Sequence, residues 1–193
     1  MISGHFGLAA LVKSRVRYVP LWALMLATVW LDIIFIPLFL TGLETIEPAS
    51  GTRGGYGNAI IHAPYTHSLL GALALSALFA AAFTRAGARV AIVLGSVVFS
   101  HWLLDLIVHR ADLPLWPPAW STSPLLGFGL WRYPWTTAIV EAALIIAGSW
   151  WYWRAARAVT ATGSTGRRRA DIVGFLMLLF GFLVLGLDVA GMS

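Results

Sequence analysis

Apolar runs of about twenty residues alternate along this chain with short polar or Gly/Pro-rich stretches. That run length is what an α-helix needs to cross a bilayer core of about 30 Å. The runs predict full membrane spans at about 18–41, 65–84, 88–108, 133–153 and 171–190. The opening apolar stretch, Ile2 to Val12, is too short to cross and predicts a half-helix, an interfacial helix or a re-entrant piece. The expected fold is an all-α polytopic transmembrane helix bundle in one domain, with about five full spans plus the short N-terminal half-helix. The stretch Thr160–Gly166, Thr-Ala-Thr-Gly-Ser-Thr-Gly, predicts a flexible linker before the last span.

Composition strengthens this picture. Of 193 residues, 59% are hydrophobic and 11% charged, where a soluble domain carries about 25% charged residues. Too few charges are present to cover a water-facing surface, so a separate soluble domain is excluded. The net charge of +5 would suit a nucleic-acid binder, but the placement of the charges argues for topology instead. Lys13, Arg15, Arg17, Arg85, Arg89, Arg154, Arg157, Arg167, Arg168 and Arg169 fall on one side of the predicted spans; Arg53, Arg110 and Arg132 fall on the other. Cytoplasmic loops carry the excess of basic residues. The first group is therefore expected in the cytoplasm, in contact with anionic membrane lipids, with no nucleic acid as partner. The chain is expected in the plasma membrane, the inner membrane of a bacterium. Its long loops, about 42–64 and 109–132, then lie outside. The first is rich in glycine (Gly51, Gly54, Gly55, Gly57), the second in Pro and Trp (Pro114, Trp116, Pro117, Pro118, Trp120). Trp favours the membrane interface, so these loops suit either a lid on the outer headgroup layer or ordinary anchoring.

Asp32, His67, His101, Asp105, His109, Glu141 and Asp188 fall in the central-to-outer parts of the spans or at their outer ends. An ionised carboxylate near a helix centre costs roughly 2.5–3.5 kcal/mol on insertion scales, so Asp32, Asp105 and Glu141 need partners. The cytoplasmic arginines are at the wrong depth. A divalent cation neutralises two carboxylates and takes neutral imidazoles as co-ligands. With no cysteine in the chain, any metal must be held by His and carboxylate. The third span reads Ser100-His101-Trp-Leu-Leu-Asp105-Leu-Ile-Val-His109. Spacings of four put His101, Asp105 and His109 on one helix face, with about 6 Å of rise between neighbours. His101 and Asp105 can grip one ion. His109, about 12 Å of rise from His101, serves either a second metal or the entrance, handling protons. Each residue also has a structural reading: a hydrogen-bonded His101–Asp105 pair, helix-start and helix-end roles for His67 and His109, interhelical clamps for Asp32 and Glu141. Glu44, Glu47 and Asp112 read as solvated loop charges, His62 as a loop histidine, Asp188 as a helix-end charge, and His5 by itself as unremarkable.

Taken together, Ser3-Gly4-His5, Leu31-Asp32, His62-Ala-Pro-Tyr-Thr-His67-Ser68-Leu69-Leu70, Ser100-His101-Trp-Leu-Leu-Asp105 and Leu113-Pro-Leu-Trp116-Pro117 resemble the YdjM-like family of membrane-bound metal-dependent hydrolases. The resemblance covers about residues 1–120. The family is similar in ligand order to zinc-dependent phospholipase C and related single-strand nucleases. On that likeness the metal ligands are His5, Asp32, His67, His101 and Asp105, with His109 and Glu141 as later members. The chain departs from the family pattern at Ile33, Ile34 and Phe35 after Asp32, at Ala63, and at Thr137; these changes imply fewer metals, or a fold kept without catalysis.

The resulting expectation is a metal-dependent hydrolase at the outer membrane face. It would hold one or two divalent ions, zinc in the first place, on His67, His101, Asp105 and Asp32, with His5 next. Glu141 or a non-ligating Asp would be general base, His109 would handle protons, and Arg110 or Arg132 would hold a phosphate. A lipid-like, lipid-linked phosphoester suits a site at headgroup depth. Intramembrane carboxylates and histidines also mark proton relays, which keeps a proton-coupled permease as an alternative, although no inverted repeat is visible. The other alternative is a non-catalytic subunit. The abundant Gly and Ala suit helix packing in a homo-oligomer or a larger membrane complex.

Overall fold

The computed structural model describes residues 1–49, 51, 57–118, 122–159 and 164–190. Arg53, Gly54, Gly55, Trp120 and the linker residues 160–163 lie outside the described residues. The architecture is helical: α1 (Ile2–Arg15), α2 (Leu21–Thr28), α3 (Trp30–Leu40), α4 (Leu69–Ala82), α5 (Ala88–Val108), α6 (Pro134–Val159) and α7 (Ser164–Ala190). Two small antiparallel ribbons interrupt the loops. Strand β1 (Thr45–Pro48) pairs with β2 (Ala59–His62), placing Ile46 opposite Ile61, and β3 (Leu113–Pro114) pairs with β4 (Leu125–Leu126).

The molecule is a membrane protein by the length and composition of its helices, but five full spans are not supported. Ala88–Val108 and Thr165–Ala190 are each long and apolar enough to cross. Leu21–Thr28 and Trp30–Leu40 make a third span only if the pair, bent by 45°, is counted as one. Helix α4 has 14 residues, a rise of about 21 Å, short of the bilayer core. It begins late because the Ser68 hydroxyl caps it, accepting from Gly71 N at 3.0 Å, so His67 stands in the turn before the helix and not inside a span. Helix α6 has 26 residues, but Glu141, Ser149, Arg154 and Arg157 interrupt its apolar character. The expected linker is shorter than its composition implied, since Ser164–Gly166 already belongs to α7.

Large apolar side chains point outward along the helices, among them Ile92 on α5, Ile139 on α6, and Phe175 and Leu187 on α7. Small and polar groups point inward: Ser3, Gly4, His5, Gly7, Ala9 and Ala10 are all buried on α1. This inversion fits a lipid solvent, in which close backbone packing and interhelical hydrogen bonds replace the hydrophobic drive. The half-helix α1 is thus the centre of the bundle. It runs in the same direction as α6, with Ser3 beside Glu141, Gly7 beside Gly148 and Arg15 beside Trp151. A Cβ on Gly7 would stand 2.5 Å from the Leu144 carbonyl oxygen. Gly7→Leu must therefore separate α1 from α6 and withdraw His5 from its neighbours. We expect a loss of at least about 1–3 kcal/mol of stability, read by thermal unfolding in detergent, where Ala9→Gly should cost only about 1 kcal/mol. A Gly7→Leu protein with the melting point of Ala9→Gly would contradict the close α1–α6 contact.

Candidate metal centre

The break between α2 and α3 is the first element that builds the site. The chain leaves helical geometry at Val29 (φ −114°, ψ 13°). The Thr28 carbonyl is thereby released from the helix ladder and accepts a hydrogen bond from His101 Nδ1 at 2.7 Å. The Thr28 hydroxyl donates to the His5 carbonyl at 3.0 Å. One residue at a helix break thus ties α1, α2 and α5 together and turns the two imidazoles onto each other. Their rings stack 3.8 Å apart, tilted by 9°.

Asp105 is the hub. Its Oδ1 lies 3.2 Å from His5 Nε2; its Oδ2 lies 3.0 Å from His101 Nε2, 3.7 Å from His67 Nε2 and 3.9 Å from His109 Nε2. Asp32 Oδ1 stands 3.5 Å from both His67 Nε2 and His101 Nε2. Ligands at about 2.0–2.2 Å around a tetrahedral zinc lie about 3.3–3.6 Å from one another. The 3.5 Å separations of Asp32 from His67 and His101 match the edges of that tetrahedron, and those of Asp105 from His101 and His67, 3.0 and 3.7 Å, lie just outside them. Two triads of donor atoms are close enough to grip an ion: His5, His101 and Asp105, and Asp32, His67 and His101. Asp105, His101, His67, His109 and His5 are buried, while the Asp32 side chain keeps 34% of its exposure.

The outer faces of the histidines carry the second half of the design. The Thr66 hydroxyl donates to Glu44 Oε2 at 2.7 Å, so its oxygen accepts from His67 Nδ1 at 2.8 Å. Glu44 Oε1 also accepts from the Tyr65 and Thr66 backbone N–H groups at 2.8 and 2.9 Å. Asp112 Oδ1 accepts from His109 Nδ1 at 3.0 Å, while its Oδ2 accepts from Ile61 N at 3.0 Å. In His67, His101 and His109 Nδ1 is therefore the atom bound from behind, and Nε2 is the atom turned toward the carboxylates, where a cation between them would take its lone pair. This is how metal-bound histidines are oriented. His5 differs, because its buried Nδ1 has no hydrogen-bond partner among the described residues. The donor set fits a divalent cation.

The structure brings together five of the expected ligands, His5, Asp32, His67, His101 and Asp105, with His109 at the edge. Glu141 is fully buried but sits at the start of α1, where its Oε2 accepts from Ser3 Oγ and from Gly4 N; it does not line the cavity. The Arg110 guanidinium is engaged by the Gly57 carbonyl, Nη2 at 3.0 Å, and Arg132 is exposed. His62 pairs with Glu47 at 3.6 Å on the outer side of the β1–β2 ribbon. Glu44 and Asp112 are corrections: both were expected in solvent, and both are buried. The signal for Asp112 was its spacing of three from His109. For Glu44 no local spacing existed, since its partners lie 21 and 22 residues on.

A cavity of about 320 Å³ opens onto the cluster. Phe35, Ile36, Ile46 and Ile61 form apolar walls, and Trp131, its ring 4.2 Å from His109, closes one side. The buried Trp131 Nε1–H has no acceptor among the described residues. The site thus offers an apolar chamber, convergent imidazole and carboxylate donors, and one free hydrogen-bond donor. Comparison with family models, with curated proteins and with solved structures gives no match for this chain.

Proposed function

We propose that this protein is a membrane-embedded, metal-dependent hydrolase acting on a lipid-linked phosphoester at the outer membrane face. The observation that carries this reading is the set of three histidines whose Nδ1 atoms are anchored from behind while their Nε2 atoms converge on Asp32 and Asp105. His67, His101, Asp32 and Asp105 would hold the ion, zinc in the first place, with His5 on the far oxygen of Asp105. A divalent cation there would polarise an ester or phosphoryl oxygen and acidify a water molecule.

The remaining residues have their own tasks. His109, backed by Asp112, can take or return a proton at Nε2 on the edge of the cavity. Trp131 Nε1–H can donate to a substrate oxygen, and the walls around Phe35 and Ile61 exclude water from the chamber. Glu141 acts as a positioning residue: by receiving Ser3 and Gly4 it fixes the start of α1, and with it His5. The outer face follows from the excess of Lys and Arg at the opposite end of the helices.

The test is elemental analysis of protein purified in neutral detergent, joined to hydrolysis of a lipid phosphoester before and after chelation. We expect stoichiometric divalent metal in the wild type, none in His101→Ala, and hydrolysis that chelation abolishes and zinc restores. Metal-free wild-type protein that takes up solute with protons would replace the enzyme by a permease. Bound metal with no hydrolysis of any phosphoester would leave a structural centre in a non-catalytic subunit.

A further inference from the structure

A second cavity, of about 460 Å³, lies at the other end of α1, lined by Ser14, Arg15, Arg17, Trp151, Arg154 and Ala155. Arg15 and His5 are separated by about 15 Å of helix rise, so this cavity is remote from the metal centre. Its chemistry is one-sided. Three guanidinium groups line it and, among the described residues, no carboxylate does. Among the described residues, the ion pair at this end of the bundle is Arg157 with Asp171 at 2.8 Å, and none involves Arg15, Arg17 or Arg154. Arg15 and Arg154 are held on the same Trp151 ring, 5.6 and 5.4 Å from its centroid. All three arginines are exposed, so the cleft offers an entering anion several cationic donors at once.

The surroundings say what kind of anion. An apolar cavity of about 310 Å³ is built on the same two helices with α2 and α7, and it includes Ala10, one turn before Ser14, and Ser149 of α6. Phe6, Met25, Leu176 and Phe180 give it walls suited to hydrocarbon. A basic cleft next to an apolar one matches a molecule with an anionic head and a fatty tail. Arginine forks suit phosphate oxygens. The lack of any acidic group in the cleft leaves nothing to receive the ammonium of a zwitterionic head. We propose that this cleft binds the phosphate headgroup of an anionic phospholipid, whose acyl chain enters the adjoining apolar cavity. The proposal is independent of the hydrolase reading.

The test is native mass spectrometry of the purified protein in neutral detergent. The probes are dioctanoyl phosphatidylglycerol, dioctanoyl phosphatidylcholine and inorganic phosphate. We expect retained adducts with the first probe alone. The triple variant Arg15→Gln, Arg17→Gln, Arg154→Gln should bind it about a hundredfold more weakly, since each basic residue near anionic lipid contributes about 1 kcal/mol. Arg17→Gln alone, in the exposed link after α1, should weaken binding about fivefold, which keeps the test alive if the triple variant does not fold. Arg85→Gln with Arg89→Gln removes charge elsewhere and should leave binding unchanged. Equal retention of phosphatidylcholine, equal binding of inorganic phosphate, or an equal loss in the Arg85/Arg89 variant would each overturn the proposal.

Discussion

Asp105→Asn is expected to leave the protein folded and to weaken divalent-metal binding on the order of a thousandfold. The carboxylate faces four imidazoles, His5, His67, His101 and His109, all within 3.0–3.9 Å. The amide keeps the size of the side chain, so the α5 packing around Val98 and Trp102 is preserved. What disappears is one of the two negative charges that neutralise the ion, in a buried setting where removing one partner of a charge pair costs about 3–5 kcal/mol. Competition with a chromophoric chelator measures the affinity directly. Thermal unfolding gives a second readout: a bound ion raises the melting point of the wild type by mass action, so chelation should lower it, and the Asn variant should show no such shift. Wild-type affinity in Asp105→Asn would remove the metal centre from consideration, and with it the hydrolase.

Glu44→Gln should weaken metal binding by about 10–100-fold although Glu44 touches none of the donor atoms. The reason is the direction of one hydroxyl proton. With a carboxylate at position 44, the Thr66 hydroxyl donates to Glu44 and accepts from His67 Nδ1. Glutamine must use its single carbonyl oxygen for the Tyr65 and Thr66 N–H groups, which leaves its amide nitrogen against Thr66. The hydroxyl then points at His67 Nδ1, the imidazole proton moves to Nε2, and the lone pair facing the site is lost. Thr66→Val should produce the same loss by removing the acceptor, and Thr66→Ser should restore near-wild-type affinity. Gln at position 44 with undiminished metal affinity, beside a folded Thr66→Val variant that also binds normally, would show that the relay has no bearing on His67.

Much of the centre was readable from spacing. His101 and Asp105 are four apart in an uninterrupted apolar run, and a helix of that length has to place them on one face. The membrane setting was readable because charges are scarce and apolar runs are long. The lengths of the spans were less readable. A hydropathy pattern does not register that Ser68 starts α4 late, or that Val29 breaks the helix between Leu21 and Leu40. The burial of Glu44 and Asp112 was hidden for a different reason. A loop carboxylate normally belongs to water, and these two leave it because donors from distant parts of the chain, Tyr65 and Thr66 for Glu44 and Ile61 N for Asp112, join in supplying the compensating hydrogen bonds.

By itself, the amino-acid order determined that the molecule is a largely helical membrane protein and that His101 and Asp105 share a face, because each depends on residues within a few turns of one another. The tertiary structure alone decided that α1 occupies the middle of the bundle, that His5, Asp32 and His67 arrive at the same carboxylate, and that Glu141 serves α1 instead of the cavity. Those outcomes depend on which helices touch. In a lipid solvent that choice is made by small-residue contacts such as Gly7 against Gly148 and by the pairing of buried polar groups, and neither leaves a periodic trace along the chain.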